Sequence, residues 1–103
     1  MLNQKDKKRF RAIGHHLNPI VTIAGNGLST SVVSELARAI GDHELIKIRL
    51  RTGDRSERNV IITEIKKQLD VEVVQSIGKV ALVYRAAASL DLALSNLHRT
   101  NIF

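Results

Sequence analysis

The chain has no cysteine, no tryptophan, a single proline and three aromatic residues, Phe10, Tyr84 and Phe103. Without cysteine it can form neither disulfides nor thiolate metal sites, which agrees with a reducing cytosol. With so few aromatics it has little to build the ring platforms on which some modules stack bases. No apolar run reaches the length of a membrane span, and the opening Met1-Leu2-Asn3-Gln4-Lys5-Asp6 has no apolar core behind its lysines. Neither a transmembrane helix nor a signal peptide is expected, so the protein is expected to stay in the cytoplasm. Internal repeats and low-complexity tracts are also missing, which excludes solenoids and disordered tails as the organising principle.

What is present is a globular composition with an excess of one charge. Hydrophobic residues make up 44% of the 103, enough for one domain with its own core. Sixteen Lys and Arg against ten Asp and Glu leave a formal charge of +6. That excess points to a polyanionic partner, with nucleic acid favoured over an anionic membrane surface.

Hydrophobic periodicity divides the chain into alternating elements. Residues 3 to 17 read as a helix capped by Asn3, with Phe10, Ile13 and Leu17 on one stripe and Lys5, Lys8 and Arg11 on the other side. Pro19 ends it, and Ile20 to Ile23 read as a strand running into Ala24-Gly25-Asn26-Gly27. Ser29 or Thr30 opens a second helix with Val32, Val33, Leu36, Ala37 and Ile40 inward and Gly41 at its C-terminal stop. Leu45 to Leu50 is a strand in which Ile46, Ile48 and Leu50 share one face, and Lys47, Arg49 and Arg51 the other. Asp54-Arg55-Ser56-Glu57 has capping-box spacing before a third helix, with Ile61, Ile62, Ile65 and Leu69 inward. Val71 to Ile77 and Val80 to Arg85 read as an antiparallel hairpin around Gly78-Lys79, glycine first as a type II′ turn requires.

The resulting order is helix, strand, helix, strand, helix, strand, strand. It implies an α/β open sandwich with a mostly parallel sheet closed by an antiparallel hairpin strand. Ser89 to His98 carries leucines at helical spacing and reads as an extra C-terminal helix, although Leu90, Leu92 and Leu94 would also suit a strand.

Gly25-Asn26-Gly27-Leu28-Ser29 lies between a strand and a helix start, where free amides and the helix dipole favour an anion. An ordinary tight turn is the competing explanation. It is no dinucleotide fingerprint, because Thr30 stands where the third glycine belongs. The cations of the first helix and of the second strand become a backbone-binding stripe if folding brings them beside this loop. The four histidines, His15, His16, His43 and His98, include no pair at ligand spacing, so no metal and no cofactor is expected. His16 borders the basic side, where it could hydrogen-bond a phosphate or sugar. Nothing forms a nucleophile elbow or an acid pair, so catalysis and a small-molecule substrate have no footing.

Taken together, several blocks resemble the bacterial YhbY-like proteins, stand-alone CRM (chloroplast RNA splicing and ribosome maturation) domains. They are the basic first helix, Leu17-Asn18-Pro19 leading a strand into Asn26-Gly27-Leu28, His43-Glu44-Leu45-Ile46-Lys47-Ile48, and Ile77-Gly78-Lys79-Val80-Ala81-Leu82-Val83-Tyr84-Arg85. The resemblance covers residues 1 to 88 and leaves 89 to 103 as an extension. It implies a four-stranded mixed sheet like that of the C-terminal domain of translation initiation factor three, and a G-x-x-G loop of the KH kind. It also implies association with ribosomal RNA of the precursor large (50S) ribosomal subunit during ribosome assembly. One departure stands out: aligned on Asn26-Gly27-Leu28, the first glycine of the family loop falls on Ala24, and an extra glycine appears at Gly25.

The expected RNA-binding residues are Lys5, Lys8, Arg9, Arg11, His16, Gly25, Asn26, Gly27, Lys47, Arg49 and Arg51. The rival expectation is a protein-interaction module that docks through the leucines of the tail. A monomer is expected, though the sequence leaves the oligomeric state open.

Overall fold

The computed structural model describes residues 2–24, 27–51, 53–87 and 94–97. The chain order is α1 (Gln4–His15), β1 (Pro19–Ile23), α2 (Thr30–His43), β2 (Leu45–Leu50), α3 (Arg55–Leu69), β3 (Glu72–Ile77) and β4 (Val80–Tyr84). The expected succession of elements is therefore present. The expected C-terminal helix falls largely outside the described residues, and residues 94–97 form turns.

Each helix begins on a side chain that accepts an otherwise unpaired amide. Asn3 Oδ1 takes the Asp6 N–H at 2.8 Å, Ser29 Oγ that of Val32 at 3.2 Å, and Asp54 Oδ1 that of Glu57 at 2.9 Å. Such caps contribute about 1 kcal/mol apiece. The return bond of the expected capping box lands one residue early, on the Gly53 amide rather than that of Asp54, with Glu57 Oε2 accepting at 3.1 Å. Glycine suits this approach, because a Cβ on Gly53 would lie 2.5 Å from that oxygen.

Gly41 does not stop α2, which runs on to His43. Its turn-ending backbone falls instead on Glu44, at φ 62°. A non-glycine residue is strained there. Glu44 is held by its amide donating to the Ile40 carbonyl at 2.9 Å and its carbonyl accepting from the Arg85 amide at 2.9 Å.

The sheet order is β1-β2-β4-β3, with β1 and β2 parallel and β4 antiparallel to both its neighbours. The hairpin strand thus lies inside the sheet rather than closing its edge. The crossover from β2 through α3 leaves a gap one strand wide between β2 and β3. β4 fills it and satisfies its backbone polar groups on both sides. Its unbroken apolar run, Val80-Ala81-Leu82-Val83-Tyr84, fits a strand buried on both faces. At the turn Gly78 takes φ 56°, while Lys79 is not among the residues of positive φ, as expected of a type II′ turn.

The two sheet faces carry separate cores. On one, Val21, Ile23, Ile46, Ile48, Leu50, Ala81 and Val83 pack with Leu36 and Ile40 of α2 and Ile65 and Leu69 of α3. On the other, Leu45, Val74 and Leu82 pack with Phe10 and Ile13 of α1. Gly14 allows this close seat, since a Cβ there would come 2.5 Å from Leu82 Cδ2.

Candidate nucleic-acid interface

The alternation in β2 decides what each face presents. Leu45, Lys47, Arg49 and Arg51 share the α1 face, but only Leu45 lies in the α1 core. Lys47 is half-buried, and Arg49 and Arg51 are exposed. α1 enters beside β3, where the Leu2 amide donates to Glu72 Oε2 at 2.9 Å. It passes Tyr84 with Phe10, the ring centroids 4.9 Å apart, and places Gly14 over Leu82. The sheet positions beyond Leu82 are left open.

Three stretches of chain meet at that open end. Ile23 pairs with Leu50, and the Arg51 amide donates to the Ile23 carbonyl at 2.7 Å, so β2 ends where β1 runs into the glycine segment. The Lys79 carbonyl accepts from the Leu50 amide at 2.7 Å, bringing the hairpin turn to the same place. Arg49, Arg51, Lys79 and Val80 line one concave patch, three cations with no acid among them. Lys79 is the residue that sequence reasoning missed. Its role in the turn was evident, but its place beside Arg51 depends on β4 pairing with β2.

Of the glycine segment, Gly27 is described and Gly25 and Asn26 lie outside the described residues. Gly27 has φ 73°, and its amide donates to the Ala24 carbonyl at 3.0 Å. The positive φ, not crowding, is what calls for glycine, because a Cβ there would meet nothing within 4 Å. Ala24 therefore contributes its backbone carbonyl to this bend, which does not require glycine at that position.

The α1 cations lie on the same side of the sheet as Arg49 and Arg51. Lys5, Lys8, Arg9 and His16 are exposed and Arg11 is half-buried. They are not one cluster: Lys5 belongs to the end of α1 beside β3, about 16 Å along the helix from His16. His15 and His16 stack edge-on at 5.5 Å at the end nearer the open half. Arg9 is partly committed to the protein, with its Cζ 5.7 Å from the Phe10 ring centroid and its Nη2 donating to the Leu97 carbonyl at 3.2 Å. Among the described residues no group of His, Asp and Glu could hold a metal ion, and no helix is long and apolar enough to cross a membrane.

The contact from Leu97 belongs to a strap made by residues 94–97. Glu44, 5% exposed, accepts from Ser95 Oγ at 2.8 Å and from the Ala87 amide at 2.8 Å. Asn96 Nδ2 donates to the Leu45 carbonyl at 2.7 Å, and His43 Nδ1 to that of Leu94 at 2.7 Å. Leu97 packs on the α1 core, whereas Leu94 is exposed and Leu90 and Leu92 lie outside the described residues. One of the four tail leucines is thus spent on the chain's own core. Nothing in the local pattern around Ser95 announces this anchorage, because its partner Glu44 is 51 residues away.

An α/β sandwich with one sheet face sealed, the other half open, and cations at the open end defines a class of small binding domain. Comparison with known families makes it specific: the chain belongs to the CRS1/YhbY (CRM) domain family, whose model matches residues 2–85. It is 47% identical over 98 residues to a "Probable RNA-binding protein" of Pseudomonas aeruginosa, covering 95% of this chain and 94% of that one. It is 36% identical over 93 residues to an "RNA-binding protein" of Haemophilus influenzae, covering 90% and 94%. A solution structure from Staphylococcus aureus, of a hypothetical protein suggested to bind RNA, shares the fold with a TM-score of 0.75 at 24% identity, over 86% of this chain and 93% of that one.

Proposed function

We propose that this chain is a non-enzymatic RNA-binding protein of the cytoplasm. It grips the sugar-phosphate backbone with the open half of the α1 face, and its RNA is ribosomal RNA in the precursor of the large subunit, whose assembly it assists. The observation that carries this reading is the meeting of Arg49, Arg51 and Lys79 with the end of β1, where the glycine segment begins, on the sheet face that α1 leaves uncovered. Relatives named for RNA binding support it.

In this reading Arg49, Arg51 and Lys79 supply affinity, and the Gly25-Asn26-Gly27 segment orients a phosphate. Lys5, Lys8, Arg9, Arg11 and His16 extend the contact along α1, and Lys47 supports the strand cations from a half-buried position. About four to six phosphate contacts give a log-log salt slope of order −3 to −5. A flat salt response would refute backbone binding. Cosedimentation with ribosomal particles, abolished by nuclease, tests the ribosomal partner, and crosslinking in cells followed by sequencing of the attached RNA identifies the element bound.

A further inference from the structure

On the open half of the sheet, Arg49 stands in a row of side chains whose other members backbone binding does not use. The register sets Thr22 of β1 beside Arg49 of β2, Arg49 beside Val80 of β4, and Val80 beside Ile77 of β3. All four share the face of Leu45 and Leu82, since Val21, Ile23, Ile46, Ile48, Leu50 and Ala81 occupy the opposite core. The row lies one pleat beyond Leu82, on which Gly14 sits, and so escapes the cover of α1. At normal strand spacing it is about 14 Å across.

Ile77 is 65% exposed, the most exposed of the large hydrophobic residues in the described part of the chain. It adjoins Val80, whose neighbour on the other side is Arg49, and Val80 lines the basic patch with Arg49, Arg51 and Lys79. Scattered surface hydrophobics need no explanation, but an apolar pad set within a cationic rim on an open sheet does.

We infer that this row is a seat for an unpaired nucleotide of the bound RNA. The base lies on Ile77, Val80 and the guanidinium plane of Arg49, and the flanking phosphates are held by Arg51 and Lys79. The inference rests on the RNA reading and deepens it by naming the kind of RNA. Unpaired bases are recognised by planar or apolar surfaces, arginine guanidinium planes included, and open four-stranded sheets provide such platforms elsewhere. Here aliphatic and guanidinium surface takes the place of aromatic rings, which the sequence hardly has. A base-paired helix keeps its base faces inside the stack and has none to lay on the row. The described residues that line this patch are three cations and Val80, and that lining selects an anionic occupant over a neutral or basic protein surface.

The test compares binding of a short unstructured oligoribonucleotide with binding of the duplex it forms with its complement, by fluorescence anisotropy. Wild type should prefer the unstructured strand. Arg49→Lys keeps the charge and removes the plane, and should weaken the unstructured strand about five- to tenfold more than the duplex. Ile77→Thr, at an exposed strand position that tolerates a β-branched residue, should do the same by about fivefold. Both variants should keep the wild-type salt slope and thermal melting temperature. Equal losses on the two RNAs, or none, overturn the seat while leaving RNA binding intact. A wild type that prefers duplex overturns it as well, and one that binds neither RNA overturns the underlying reading with it.

Discussion

The two faces of the sheet use the same strands for different ends. The face under α2 and α3 is apolar from Val21 and Ile46 at one end to Ile23 and Leu50 at the other, and it is sealed throughout. The α1 face is divided along β2: Leu45 joins Phe10 and Leu82 in a core, whereas Arg49 and Arg51 meet solvent two and three pleats further on. A single strand thus anchors a helix with its first residue and presents cations at its far end. This division shows how a small domain can keep a binding surface rigid without burying it. The open half is backed by the sealed core and flanked by the helix that stops short of it.

The sealed face should show the largest stability effect. Ile40→Ala, a truncation at a fully buried position, should cost about 2–5 kcal/mol in urea unfolding. Folded Ile40→Ala should still bind RNA like wild type, and a large loss of affinity would break the separation of the faces. On the covered half of the α1 face, Gly14→Val forces Leu82 aside and should cost about 1–3 kcal/mol. Ser95→Ala, which takes a donor from the buried Glu44 carboxylate, should cost about 1–3 kcal/mol and show that the strap belongs to the covered half. On the open half the expectation inverts. Arg51→Glu should change stability by no more than about 0.5 kcal/mol, yet weaken RNA binding and lower the salt slope by about one.

Most of this division can be read from the sequence because it follows local rules. The alternation of β2, the three N-terminal caps, the tight Gly78-Lys79 turn and the inward stripes of the helices all depend on residues a few positions apart. What could not be read depends on pairings across the chain. Whether β4 lies at an edge or between β2 and β3 is a choice among strand orders with the same periodicity, and Lys79 joins the basic patch only in the order adopted. Gly41 looked like a helix stop because glycine is the usual occupant of positive φ. The strained turn instead fell on Glu44, whose side chain is held by residues far along the chain. Arg9 illustrates the same limit, since its exposed cation was evident and its bond to Leu97 was not.

The smallest effect tests the boundary between the two halves of the α1 face. Tyr84 packs against Phe10 on the covered half, at an interplanar angle of 46°. Burial first, and then the negative charges of Glu44, Asp6 and Glu72, raise its phenol above the ordinary value of 10.0. The folded protein therefore holds this proton more tightly than the unfolded chain does. The stability contributed is complete below about pH 10 and is lost as the pH climbs through the raised value. Urea unfolding in alkaline buffer should show a decline that is shallower in Tyr84→Phe than in wild type. At neutral pH Tyr84→Phe should bind RNA as wild type does, because the ring lies under α1 and away from Arg49 and Arg51. A change in affinity there would mean that the sheet surface beneath α1 takes part in binding as well as the open half.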